Sequence, residues 1–190
     1  MIVTKNPELA KHCRLMRFHG ISRDVFDRHV STKPAWFYEV IAPGFKYNMT
    51  DIAASIGIHQ LRRISEMHKK REKIALTYDS SLNDLPIILP PHAPHQDLHS
   101  WYFYVIRLLP KANINHEKFI ELMTKKGIGC MAHYIPLHIQ PFWRDRYNLK
   151  PNDFPCALAN FESAVSLPIY SKMTETDTLR VINAAKEILG

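Results

Sequence analysis

Between Thr50 and Leu82 the apolar residues follow a helical rhythm. Ile52, Ile56, Leu61 and Ile64 recur at spacings of three to five, and Ile74, Tyr78 and Leu82 continue at four. Only Gly57 interrupts the run. The pattern predicts one helix of about 30 residues, about 50 Å long at the usual rise, or two helices bent near Glu66. Ala53, Ala54 and Gly57 keep its first turns thin, so another backbone can approach closely there. A helix of this length exceeds what a small domain needs and is expected to bridge two.

Before it, MIVT (1–4) reads as the end of a strand. Asn6 then caps a helix with Pro7 at its first position, Glu8 in its first turn and Gly20 just past its end. Leu9, Cys13 and Met16 share one face of that helix. A domain that opens on a strand end predicts upstream sequence in the same fold. Residues 20–47 carry no sustained period and include Pro34, Pro43 and Gly44, which suits an irregular connection.

After the long helix comes a proline-rich crossing, LPIILPPHAPHQDL, and then SWYFYVIRLL (100–109), aromatic and β-branched enough for a strand. Asn115 caps an expected helix running to Gly127, with Phe119, Leu122 and Met123 inside. Residues 128–134 read as a second strand, 153–164 as a helix capped by Asp153, and Ser163–Ile169 as containing a third strand. Thr174 and Asp177 form a capping box for the last helix, whose expected core side is Leu179, Ile182 and Ile188. The order β-α-β-α-β-α predicts a small α/β layer with helices on a three-stranded sheet.

Composition narrows the function classes. The 190 residues are 46% hydrophobic and 23% charged, the balance of a globular chain. Only six glycines occur, and at 20, 44, 57, 127, 129 and 190 they write neither GxGxxG nor GxxxxGK[ST]. A net charge of +7 favours anionic partners without choosing among them. Three cysteines without CxxC spacing point away from a disulfide framework and toward a reducing compartment. No apolar run nears the roughly 20 residues that span a bilayer, and MIVTKNPEL lacks a signal-peptide layout. The expectation is a cytoplasmic chain with no membrane partner.

Of the candidate chemistry, His92, His95 and His99 in the crossing, and His133 with His138, lack the cysteine, carboxylate or HExxH context of zinc sites. No metal site is expected. The basic run His68–Lys73 has no aromatic partners for nucleic acid, and Glu66 four residues before Lys70 marks a solvated helix face. Cys130 in an apolar strand reads as a small core residue. HYIPLHIQPFW (133–143) differs in kind. Two histidines, a tyrosine, two prolines, a glutamine and a tryptophan make either a stiff, donor-lined ligand loop or a proline-shaped turn with aromatic packing.

Four separated blocks agree in order with one family. GFKYNMTDIAASIGIHQLRRI (44–64) resembles the segment that follows the cofactor region in the DegT/DnrJ/StrS sugar aminotransferases, which use pyridoxal phosphate. HSWYFYVIRL (99–108), KKGIGCMAHYIPLHIQPFW (125–143) and AVSLPIYSKMTETDTLRVI (164–182) resemble its later blocks. MIVTKNPELAKHCRLMRFHGI (1–21) resembles the strand and helix just after the Schiff-base lysine. The likeness covers nearly the whole chain.

The resemblance implies the C-terminal part of an aspartate-aminotransferase-like fold, fold type I. Residues 1–50 would be a remnant of the large cofactor-binding domain, 51–85 the connecting helix and 86–190 the small α/β domain. It implies that the lysine, the aspartate partnering the pyridine nitrogen and the ring-stacking residues lie upstream in the family, so no catalytic residue is expected in this chain. Lys46, where many relatives have asparagine, and Asn48 are implied to bind the cofactor phosphate across a dimer interface. Tyr47, His133, Tyr134 and His138 are implied to face a nucleotide-sugar substrate, with glutamate as amino donor. Expected partners are a second copy of the chain or a missing N-terminal half. A non-catalytic association module from the same family is the alternative, and a basic nucleic-acid-binding protein ranks behind both.

Overall fold

A computed structural model describes residues 2–22, 36–94 and 97–190. Pro34 and His95 lie outside the described residues. The chain divides into two compact units, Met1–Arg62 and Arg63–Gly190.

In the first unit, helix α1 spans Pro7–Met16. The Asn6 side chain accepts from the amides of Glu8 and Leu9 at 3.0 and 3.1 Å, two of the donors a helix start leaves open. Ile2–Thr4, expected as a strand end, carries no strand pairing among the described residues, and Ile2 and Val3 are exposed. Beyond α1 the irregular connection proves to be partly paired. Phe18 bridges Lys46 and Ile21 bridges Val40, both antiparallel, so segments 17–22 and 39–47 run beside each other. Glycines permit this approach. A Cβ on Gly20, whose φ is +67°, would overlap the Ala42 carbonyl, and one on Gly44 would overlap the Gly20 amide.

Helix α2, Asp51–Leu82, is continuous over 32 residues, one helix rather than two. The unit boundary falls inside it, between Arg62 and Arg63. In its first turns Ile52, Ile56, Ile58 and Leu61 are exposed, whereas Ile74, Ala75, Tyr78 and Leu82 are buried in the second unit.

The second unit is built on a three-stranded antiparallel sheet in the order β1 (Ile87–Ile88), β2 (Tyr104–Leu108), β3 (Ala164–Leu167). Ile87 pairs with Leu108, and Tyr104 with Leu167. The first strand comes from the proline-rich crossing. Residues 128–134, expected as a strand, contribute a single bridge, Met131 to Ser166. The short run before Pro136 holds only that one residue in register.

Among the described residues four further α-helices complete the unit: α3 (His116–Lys125), α4 (Pro141–Tyr147), α5 (Pro155–Ser163) and α6 (Glu175–Leu189). α3 packs on α6 and β3, and α5 on β2. The core joins Tyr78 and Leu82 of α2 to Tyr104 and Ile106 of β2, Phe119 and Met123 of α3, and Val165 of β3. Asn115 caps α3 and Thr174–Asp177 box the start of α6, as their spacing predicts. Two expectations fail. Asp153 closes a 3-10 turn, accepting from the Lys150 amide at 2.8 Å, and α5 starts at Pro155 without a side-chain cap. Leu179 is exposed, because it sits one residue off the buried face formed by Thr178, Ile182, Ala185 and Leu189.

Candidate functional site

Lys46, Tyr47 and Asn48 belong to the first unit. The segment that carries them is held extended. The Phe45 amide donates to the Met16 carbonyl at 2.7 Å, and the Tyr47 amide to the Arg17 carbonyl at 2.8 Å. Extended backbone sends alternate side chains to opposite faces. Phe45 and Tyr47 accordingly stack with rings 5.0 Å apart and 8° from parallel. Tyr47 is 74% exposed and borders a cavity of about 800 Å³ that Cys13, Arg14, Arg17 and Met49 also line.

The Lys46 ammonium rests 4.4 Å from the centre of the Phe18 ring. Among the described residues no carboxylate pairs with it, so the aromatic face holds the charge without neutralising it. Asn48 Oδ1 is buried and has no hydrogen-bond partner among the described residues. A buried polar atom left unpaired marks a position that another group can complete. A half-turn of the amide puts its NH2 at the same place. One ammonium and one amide make a donor set that fits a phosphate group.

His133, Tyr134 and His138 belong to the second unit, on the segment that leaves the sheet at Met131. His133 Nδ1 lies 2.7 Å from Ser166 Oγ. The Phe103 ring covers His133 at 4.3 Å between centres, and Tyr134 meets the imidazole edge-on at 4.7 Å. Tyr134 itself is 72% exposed. The structure thus brings His133 and Tyr134 together on an accessible surface. His138 is placed differently. It is only 6% exposed, its Nε2 lies 3.0 Å from the Pro151 carbonyl oxygen, and its ring packs on Phe154. From there it ties the loop to the turn before α5. Phe142, Trp143 and Tyr147 of α4 add further exposed aromatic surface.

Sequence reading missed Ser166 and Phe103. The signal for Ser166 was a lone hydroxyl among apolar neighbours in AVSL. Cys130, three residues before His133, is a buried core thiol whose pKa burial pushes up to about 12, so it is no nucleophile at neutral pH. Among the described residues no three His, Cys, Asp or Glu side chains gather where a metal ion could sit.

Comparison with known proteins decides the family. The sequence matches the DegT/DnrJ/EryC1/StrS aminotransferase family over residues 1–186. This chain belongs to that family. It is 44% identical to the uncharacterized protein MJ1066 of Methanocaldococcus jannaschii, with 100% of this chain aligned to 49% of that protein. It is 35% identical to the spore coat polysaccharide biosynthesis protein SpsC of Bacillus subtilis, again 100% of the chain against 49%. Among solved structures, Helicobacter pylori PseC, an aminotransferase involved in the biosynthesis of pseudoaminic acid, superposes with a TM-score of 0.82 at 25% identity. That match covers 98% of this chain and 47% of PseC.

The chain therefore spans about half the length of the curated relatives it matches. Its fold is that of fold type I aminotransferases, in their α/β part with the three-stranded antiparallel sheet. The family's enzymes are sugar aminotransferases that depend on pyridoxal phosphate, and a PLP-form stands among the similar solved structures. Among the described residues no helix is long and apolar enough to cross a membrane.

Proposed function

We propose that this chain is the C-terminal half of a pyridoxal-phosphate-dependent aminotransferase that converts keto-sugar nucleotides into amino-sugar nucleotides for cell-surface polysaccharide, with glutamate as donor. The observation that carries the reading is the family match over residues 1–186, running through both candidate loops. Residues 1–50 are the remnant of the large domain, 51–85 the connecting helix and 86–190 the small domain. Bound pyridoxal phosphate would supply an electron sink for proton transfer at the carbon that carries the amine.

The residues of this chain bind and orient. Lys46 places a point charge for the cofactor phosphate, and Asn48 adds a hydrogen bond beside it. Tyr47 offers an exposed ring and hydroxyl toward substrate. His133 and Tyr134 meet the nucleotide-sugar, and His138 contributes by holding their loop to Pro151. The group that moves the substrate proton is the upstream lysine, so the chain alone is inactive. Its place of work is the cytoplasm, where sugar nucleotides are made.

A second reading has its own observation. The exposed apolar start of α2, with Ile52 at 77% and Ile56 at 57%, favours association with a second copy or with the lysine-bearing half. A family-derived association module would use the same face.

Reductive trapping tests the proposal. With pyridoxal phosphate and borohydride, the pure chain is expected to show no lysine labelled to stoichiometry and no turnover of a keto-sugar nucleotide with glutamate. Stoichiometric label on one lysine together with turnover overturns it.

A further inference from the structure

Ser166 holds the candidate loop at three points. Its amide donates to the Met131 carbonyl at 2.8 Å, and its carbonyl accepts from the Met131 amide at 3.3 Å. Its hydroxyl oxygen lies 2.7 Å from His133 Nδ1. On its other side Ser166 is in register with Val105 of β2, so the sheet fixes its backbone.

Ser166 is buried, which bears on which atom carries the proton. Were Nδ1–H to donate to Oγ, the hydroxyl hydrogen would need a second acceptor, and none is found for it among the described residues. A buried donor left without an acceptor loses its hydration with nothing in exchange. A hydroxyl that donates to Nδ1 satisfies both groups at once and leaves the ring proton on Nε2. Phe103 against the ring face and Tyr134 at its edge hold the imidazole in that orientation.

We propose that Ser166 is a positioning residue for His133, fixing the imidazole as the Nε2–H tautomer so that the loop presents a hydrogen-bond donor to an anionic oxygen, such as a phosphate oxygen of the substrate. The inference rests on the reading that this loop faces the nucleotide-sugar. Ser166 need not touch the ligand, because it acts through His133.

The test is nitrogen NMR of the full chain labelled at histidine, without ligand and at a pH above the ordinary imidazole range. In the unmodified chain His133 Nδ1 is expected to resonate as an unprotonated, hydrogen-bonded nitrogen and Nε2 as the protonated one. Ser166→Ala should shift the Nδ1 resonance and bring in the second tautomer. Ser166→Thr, which keeps the hydroxyl, should restore the original pattern. Amide resonances of β2 and α6 report that each variant is folded. A proton on Nδ1 in the unmodified chain, or an Nδ1 resonance unmoved by Ser166→Ala, overturns the proposal. If the alanine variant does not fold, the unmodified chain and Ser166→Thr still decide by the position of the proton.

Uridine diphosphate then serves as a separate probe. It should shift the Nε2–H resonance of the unmodified chain and do so several-fold more weakly in Ser166→Ala. A fixed tautomer with no response to the probe contradicts the substrate reading and leaves the role of Ser166 standing.

Discussion

The Tyr104 hydroxyl donates to Asp79 Oδ1 at 2.6 Å, joining the middle strand of the sheet to helix α2. Oδ2 of the same carboxylate is buried and has no hydrogen-bond partner among the described residues, with His92 Nε2 of the crossing segment 2.9 Å away. The pair thus fastens strand β2 to helix α2 at one carboxylate. Tyr104→Phe removes one bond and leaves a largely buried oxygen short of a donor. The expected loss is about 1–3 kcal/mol in urea unfolding. A change under about 0.5 kcal/mol would show that the bond only decorates the packing.

Alkaline pH should weaken the second unit for a related reason. Burial raises the pKa of the Cys130 thiol to about 12, and it raises the Tyr78 and Tyr104 hydroxyls, the latter with help from the Asp79 charge. Each group is then protonated in the folded chain when the unfolded chain has begun to lose that proton. Their contribution is whole below the ordinary thiol and phenol values and declines as pH climbs through about 9–10 and beyond. Urea midpoints measured from pH 7 to 11 should fall, and Cys130→Ala should flatten the start of the fall. A flat profile contradicts this.

Local chemistry made much of this fold legible in advance. Asn6, Asn115 and the Thr174–Asp177 box each act within three or four residues, so sequence spacing finds them. The stripe Ile74, Tyr78, Leu82 marks the buried face of α2 for the same reason. Strand pairing is non-local, and there the reading slipped. Ile87–Ile88 pairs because Leu108 and Arg107 come alongside, whereas 128–134 finds one partner in Ser166. At the candidate site the loop residues were visible as a cluster of donors and rings. The hydroxyl behind His133 was not, since it arrives from 33 residues away.

Gly20 is a demanding backbone position of the first unit. Gly20→Ala places a methyl against the Ala42 carbonyl at a left-handed φ of +67°. The cost should be about 2 kcal/mol or more, with loss of hydrogen-exchange protection at the Ile41 amide, which donates to the Gly20 carbonyl at 2.9 Å. Protection equal to that of the unmodified chain would contradict the close approach.

Ile56 sits in the middle of the exposed apolar start of α2. A two-fold dimer would cover this face, two-fold pairs being the commonest closed assembly. Ile56→Lys should weaken association at least tenfold, read by light scattering across a dilution series. A monomer at every concentration of the unmodified chain removes the dimer, and equal association of the two chains removes this face as its seat.

On the proposed function, this chain supplies binding surfaces to an enzyme whose lysine lies elsewhere. The most direct measurement adds in trans the half of SpsC that this chain does not match, and follows amino-sugar nucleotide formation from a keto-sugar nucleotide, glutamate and pyridoxal phosphate. Turnover is predicted only with both parts present, and it should drop at least tenfold with Lys46→Ala or His133→Ala. No turnover from the combination, or equal turnover from the SpsC half alone, would contradict the account.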